Sequence, residues 1–505
     1  MRNKRLIRTI AIVLVALLVG GVVFGALMSA FAEEQTTVEN TERDRHRIAM
    51  EYLEGEQALH ITQRLNYYNR CDIPLKAVLF YAAGNMFRRM DALMYDDGSL
   101  EKMFPYGYVP AGIDLREVLC DGKPTDYGFQ GADEIYLRAD CDVAPGQCCE
   151  FQFEYYLLLQ RCGAFQGVGD TDVRLEAFCF VPAVYDRNHG EFALKRPLPF
   201  TRWLYCDAAD YHVTLSLPRG FDLAATGEAE AAQGDDGSVH WTLTAPNARD
   251  FALSFGRRWR CVEGESDNGV RVRVLSNARG GDRRALDVAL SAVNQCEAWF
   301  GDFPVRELEI AQSDYPLGAL CFPGVIWISN DLLERGKASD LAARLRFGVA
   351  QQYFGLAAWT EPVADAWLGD AVSEYVACLL LEAAEGQAKF LEYVNRDWVA
   401  ALQQTVPGGL HITSDAALFD ADSYALVVLR RGAVVLHELR LAMGLEPLLD
   451  GLAEYVALGR DGRTLTEMDF AHALETASGR PWEEFLTDWL FNVGDYVNQT
   501  MVWYE

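Results

Sequence analysis

The 505-residue chain contains no CxxC pair, no GxxxxGK[ST], no GxSxG and no GxGxxG. Their absence leaves zinc-ribbon and thioredoxin chemistry, P-loop nucleotide binding, a hydrolase nucleophile elbow and a dinucleotide fold without an anchor. Positive charge is scarce: 45 Lys and Arg stand against 73 Asp and Glu, a formal net charge of −28. Such a surface repels phosphate backbones, so no nucleic-acid partner is expected. His437-Glu438 begins an HExxH pattern, but Leu441 stands where the second His would be, and His437 reads as a packed or helix-surface residue. No internal repeat or low-complexity tract is present. What remains, 50% hydrophobic and 23% charged residues, is a globular composition with length for about three domains at ~150 residues each. The twelve Cys read as structural thiols or a few disulfides.

The N-terminus carries the first positive signal. Arg2, Lys4, Arg5 and Arg8 precede an uncharged run, Ile10 to Ala32, made of apolar, Gly and Ser residues, with Glu33 and Glu34 behind it. About 20 apolar residues in a helix cross the hydrocarbon layer, and the basic flank stays cytoplasmic. Residues 1–9 thus form a basic cytoplasmic flank and 10–32 a transmembrane signal anchor. A cleaved signal peptide is the alternative, because Ala30-Phe31-Ala32 suits a signal peptidase. Either way the bulk of the chain is expected outside the cytoplasm, as a single-pass protein of the cell membrane.

Residues 33–45 read as a polar spacer. From 46 to 260, short alternating runs broken by Gly, Pro, Asp and Asn, such as His212 to Leu217, predict an antiparallel β-rich domain. Cys261 to Asn268 reads as a boundary. Beyond it the pattern predicts a strand at Val270 to Leu275, a helix at Asp282 to Phe300, strands around Leu308 and Ile326, and helices from an N-cap at Ser339 onward. Thr466-x-x-Asp469 heads a further helix. The expected class is α+β and multidomain, with 268–505 as an α-rich domain carrying a small sheet.

Several short pieces, in order, resemble the M1 family of zinc aminopeptidases, the gluzincins. They are Tyr67-Tyr68-Asn69, Phe80 to Asn85, Ala144-Pro145-Gly146, Arg249 to Ala252, Gly318 to Gly324, Tyr353-Phe354-Gly355, Trp367-Leu368, Arg431-Gly432-Ala433 and Trp489-Leu490. The resemblance implies an M1 N-terminal-like β domain followed by a thermolysin-like domain. It also implies where the chemistry should sit, and there the sequence departs from the family. At the HExxH positions stand Phe347, Gly348 and Gln351, and with eighteen residues between it and Gln351, at the third zinc ligand, stands Asp370. Phe347 and Gly348 offer zinc no donor and no general base, and Gln351 is an uncharged amide. Cys321 replaces the Glu that holds the substrate amine, and Leu429 replaces the Tyr that stabilises the oxyanion. Tyr424, five residues before Leu429, reads as a core or surface residue.

These substitutions predict no resident cofactor and a degenerate metallopeptidase, a pseudoenzyme with a peptide-binding or regulatory role. Gly318, Ala319 and Cys321 form its candidate cleft strand, able to pair main chain to main chain with a peptide. The acidic charge favours a cationic peptide or a basic protein partner. Two alternatives stand beside this: an active zinc aminopeptidase with displaced ligands, and a structural component of an envelope complex. Glu361, Asp365, Asp370 and Glu374 read as a solvated acidic face, with a calcium site as the rival.

Overall fold

The computed structural model describes residues 43–92, 97–406 and 408–492. The apolar run 10–32 and its flanks lie outside them, and among the described residues no helix is long and apolar enough to cross a membrane.

The N-terminal half is built on an eight-stranded sheet. Its centre is β1 (Asp44–Leu53), β2 (Ala58–Tyr68), β3 (Cys148–Leu158), β4 (Ala209–Leu217) and β5 (Val239–Ala248), in the order β5-β4-β1-β2-β3. Alternation does what period-two patterning requires: Ala209, Tyr211, Val213, Leu215 and Leu217 are buried and the residues between them are more exposed. The pairing is antiparallel except between β1 and β4, which run parallel from Asp44 opposite Ala209 to Glu51 opposite Ser216. A parallel pair needs a long crossover, and the chain between β1 and β4 supplies it with the rest of the domain. β1 starts at Asp44, inside the segment expected to be spacer.

Within the expected boundary 261–268 the chain forms a strand. Arg260–Glu265 is a strand, β6, and it pairs antiparallel with β7 (Arg271–Ser276) as the edge of the second sheet. The chain therefore enters the second sheet directly from the first half. That sheet continues through β8 (Glu307–Ser313) and β10 (Val325–Ser329) to β9 (Ala319–Phe322) at its other edge. Helix α1 (Asp282–Phe300) has the predicted bounds. Behind the sheet lie α2 (Ala338–Gln351) and α3 (Ala366–Glu385), followed by α4 (Gly432–Met443) and α5 (Leu445–Gly459). Ser339 is not an N-cap: α2 begins at Ala338 behind Lys337, and Ser339 bonds Asp340 at 3.1 Å instead. Thr466 caps Glu467–Ser478 through a reciprocal box with Asp469, as the spacing predicts. All twelve cysteines are free thiols.

α3 is the axis of the second half. Trp367, Leu368, Ala371, Val372, Tyr375, Val376 and Leu379 are buried on all its sides, the mark of a helix enclosed by other elements. The two halves form one compact unit. Glu309 on β8 belongs to the tie between them: it is buried, accepts from the Ala225 N–H of the first half at 2.8 Å, and pairs with Arg273 on β7.

Burial pushes the carboxyls of Asp172 and Glu309 up to about 7 and that of Glu438 up to about 8. It pushes His46 down to about 3 and His437 to about 4. Between about pH 6.5 and 8 the unfolded carboxyls are ionised while the folded ones still hold protons, so the folded state binds more protons and loses stability as pH rises. The two histidines are neutral in the folded state and about half protonated in the unfolded state at pH 6.5, so they oppose the trend at its lower end, where the three folded carboxyls still hold more protons than the unfolded histidines do. The melting temperature should fall from pH 6.5 to 8, and Glu438→Gln should flatten part of that slope in a thermal melt series.

Candidate functional site

Asp370 is the centre of the site. It lies in the first turns of α3 and is 5% exposed, so its carboxylate needs partners in place of water. Gln351, the last residue of α2, donates from Nε2 to Asp370 Oδ1 at 2.8 Å. Two groups donate to Oδ2: the Thr201 hydroxyl at 2.7 Å and the Tyr424 hydroxyl at 2.6 Å. The Arg202 guanidinium completes the set, with Nη2 at 3.5 Å from Oδ1. Burial, with Asp370 next, pushes the Tyr424 hydroxyl well above its usual range, so it stays a donor.

Thr201 and Arg202 come from the first half of the chain, in the segment just before β4. Arg202 reaches the site because two residues along its path have no side chain. A Cβ on Gly355 would lie 2.7 Å from the Arg202 Cζ, and one on Gly369 would lie 2.5 Å from its Nη2. The cation also lies over the Trp359 ring, 5.6 Å from its centroid. Tyr424 is held by Phe200, with ring centroids 5.0 Å apart.

The structure therefore brings Gln351 and Asp370 together, as the eighteen-residue spacing predicts, and adds three groups that sequence reasoning missed or dismissed. Asp370 and its acidic neighbours are not a solvated face. Asp370 is buried, Glu361 pairs with Lys195 at 3.0 Å, and Glu374 accepts from the Tyr393 hydroxyl at 2.6 Å. Among the described residues no group of three or more His, Cys, Asp or Glu could hold a metal ion. Tyr424 is core, as expected, but it is also a partner of the site. The signal that could have found it is Asp420-x-x-Ser423, a capping box that starts a new helix just before Tyr424 and sets its direction.

Phe347 lies one turn before Gln351 and lines a cleft of about 990 Å³, together with Leu429 and Gly318. Gly348 faces β9 and β10: a Cβ there would lie 2.6 Å from Ile326 Cδ1 and 3.2 Å from Cys321 Sγ. Cys321 is half-buried, and burial pushes its thiol up to about 12, so it is no thiolate nucleophile at neutral pH. Gly318, Ala319 and Cys321 lie at the sheet edge. The bond from the Ser329 N–H to the Gly318 carbonyl sets the antiparallel alternation, which turns the main-chain groups of Ala319 and Cys321 away from β10.

No family model matches the chain. A probable aminopeptidase 2 from Sulfurisphaera tokodaii is 26% identical over 429 residues, 76% of this chain and 54% of that protein, so the chain spans about half the length of this curated relative. An M1 zinc metallopeptidase from Deinococcus radiodurans superposes with a TM-score of 0.61 at 17% identity, over 89% of this chain and 94% of the other. A variant of that enzyme bound to a Tyr-Ser-Ala substrate gives 0.60 at 17% identity, over 88% and 93%. The chain has the M1 zinc metallopeptidase fold.

The residues that the sequence resemblance sets at the zinc positions do not fit zinc. A catalytic zinc takes three His, Asp, Glu or Cys ligands, and Asp370 alone qualifies among Phe347, Gln351 and Asp370. Its oxygens are already taken by four donors, one of them a cation. A dication about 4 Å from the Arg202 guanidinium would meet a repulsion on the order of 8 kcal/mol at an effective dielectric of about 20.

Two outcomes follow. Tyr424→Phe leaves one Asp370 oxygen short of a donor and should cost about 1–3 kcal/mol of stability by denaturant titration. The set Phe347→His, Gly348→Glu, Gln351→His and Asp370→Glu should show no zinc-dependent rise in melting temperature while Arg202 is present. Adding Arg202→Ala and Ile326→Ala, which clear the cation and the clash above Gly348, should produce one.

Proposed function

We propose that this chain is a membrane-anchored, extracytoplasmic protein of M1 architecture that binds peptides without hydrolysing them. The observation that carries the reading is the saturated Asp370 carboxylate. Hydrolysis in this fold would need an activated water, and here a guanidinium, an amide and two hydroxyls fill the place where a metal would act. Cys321 and Leu429 extend the argument, since neither a protonated thiol nor an alkyl group holds an ammonium or an oxyanion. Peptide binding uses other parts. The unpaired main-chain edge at Ala319 and Cys321 can add a strand, a mode that does not depend on the lost side chains. The anchor rests on the uncharged run 10–32 behind four basic residues.

The sequence relative named as a probable aminopeptidase supports the rival, an active zinc enzyme with displaced ligands. Metal analysis of the full chain, purified in detergent, separates the two. We expect no stoichiometric zinc and no release of product from aminoacyl reporter substrates. One zinc per chain, lost together with activity on chelation, would establish the rival instead. Fractionation checks the anchor: the chain should remain with membranes after a high-salt wash, and a soluble product beginning at Glu33 would replace the anchor with a cleaved signal.

A further inference from the structure

The cleft lined by Phe347, Leu429 and Gly318 is walled by six basic side chains. Four of them are matched to carboxylates within the wall: Arg335 to Asp331 at 3.7 Å, Arg346 to Glu385 at 2.7 Å, Lys389 to Glu392 at 2.7 Å and Arg396 to Asp397 at 2.6 Å. Arg344 and Arg430 are different. Neither forms a hydrogen bond or an ion pair with another described residue. Both act on the Glu374 carboxyl, which burial raises and which the Tyr393 hydroxyl and the two guanidinium groups draw back down. The remaining acid of the wall, Asp340, is exposed and takes the Ser339 hydroxyl.

The positions of the two guanidinium groups matter as much as their freedom. Gly318, which opens the edge strand β9, has a φ of +98°, and a Cβ there would lie 3.4 Å from the Arg344 Nε. Arg344 therefore stands beside the residue from which the free main-chain edge at Ala319 and Cys321 departs. Arg430 sits next to Leu429 on the facing helix. Leu429 and Phe347 put apolar surface into the same cleft, which lowers the local dielectric and strengthens any charge pair formed there. A guanidinium presents paired N–H donors that match the two oxygens of a carboxylate.

We infer that the cleft binds a peptide by its carboxylate end: the peptide pairs with the edge at Ala319 and Cys321, and Arg344 and Arg430 hold its free C-terminal carboxylate. The inference rests on the peptide-binding reading above. The wall itself is balanced, six acids against six bases, so the preference comes from the two guanidinium groups that stand outside its ion pairs and not from net charge.

The test uses the full chain in detergent and four pools of random pentapeptides built from uncharged residues. One pool is N-acetylated with a free C-terminal acid, one N-acetylated and C-terminally amidated, and one has a free amine and an amidated C-terminus. The last is doubly blocked with a central Asp. Retention is read by ultrafiltration and mass spectrometry. The free-acid pool should be retained at least about tenfold more strongly than the other three. Arg344→Gln with Arg430→Gln should abolish that difference, whereas Arg335→Gln, at an exposed ion-paired position, should leave it intact. Equal retention of the doubly blocked or free-amine pool would overturn the carboxylate assignment while leaving peptide binding in place. Equal retention of the Asp pool would assign the cation pair to acidic side chains and overturn the terminal assignment. Retention of none would overturn the peptide-binding reading itself.

Discussion

A buried carboxylate must be matched where it stands, and Asp370 imposes that condition on the middle of this protein. α3 runs through the interior of the second half, so the carboxylate in its first turns has no access to bulk water. The solution draws on three parts of the chain: Gln351 from the end of α2, Tyr424 from a short capped helix, and Thr201 with Arg202 from the segment leading into β4. Because Arg202 and Thr201 belong to the first half, the charge balance of Asp370 and the docking of the two halves are one requirement. The small residues Gly355 and Gly369 are part of it, since they leave the corridor that the guanidinium occupies.

The solved structures that share this fold are zinc metallopeptidases. A guanidinium can balance a carboxylate and shape a pocket much as a cation ligand set does, but it has no open coordination position from which to activate water. Phe347 and Leu429 put apolar surface into the neighbouring cleft, and Arg344 and Arg430 add two guanidinium groups that stand outside its ion pairs.

Much of the fold was legible in the sequence because its signals are local. The alternation of His212 to Leu217, the bounds of α1 and the capping box at Thr466 each depend on neighbours within one element. The misreadings concern choices that local signals do not make. Cys261 to Asn268 reads as a boundary, yet Arg260–Glu265 is a strand, because an edge position tolerates exposure on its outer side. Ser339 looks like a cap, yet the helix begins one residue earlier.

The site divides along the same line. Sequence by itself determined the identity of each residue at the M1 ligand positions, and hence that Phe347, Gly348 and Gln351 offer zinc neither an imidazole nor a carboxylate. It also determined the spacing that sets Gln351 against Asp370. Only the tertiary structure decided what surrounds Asp370. Arg202 is 168 residues away from Asp370 in the chain, and Tyr424 is 54 residues away on the other side. No periodicity or motif links positions so far apart. They meet because desolvating a carboxylate is costly enough that the packing of two domains must deliver its partners.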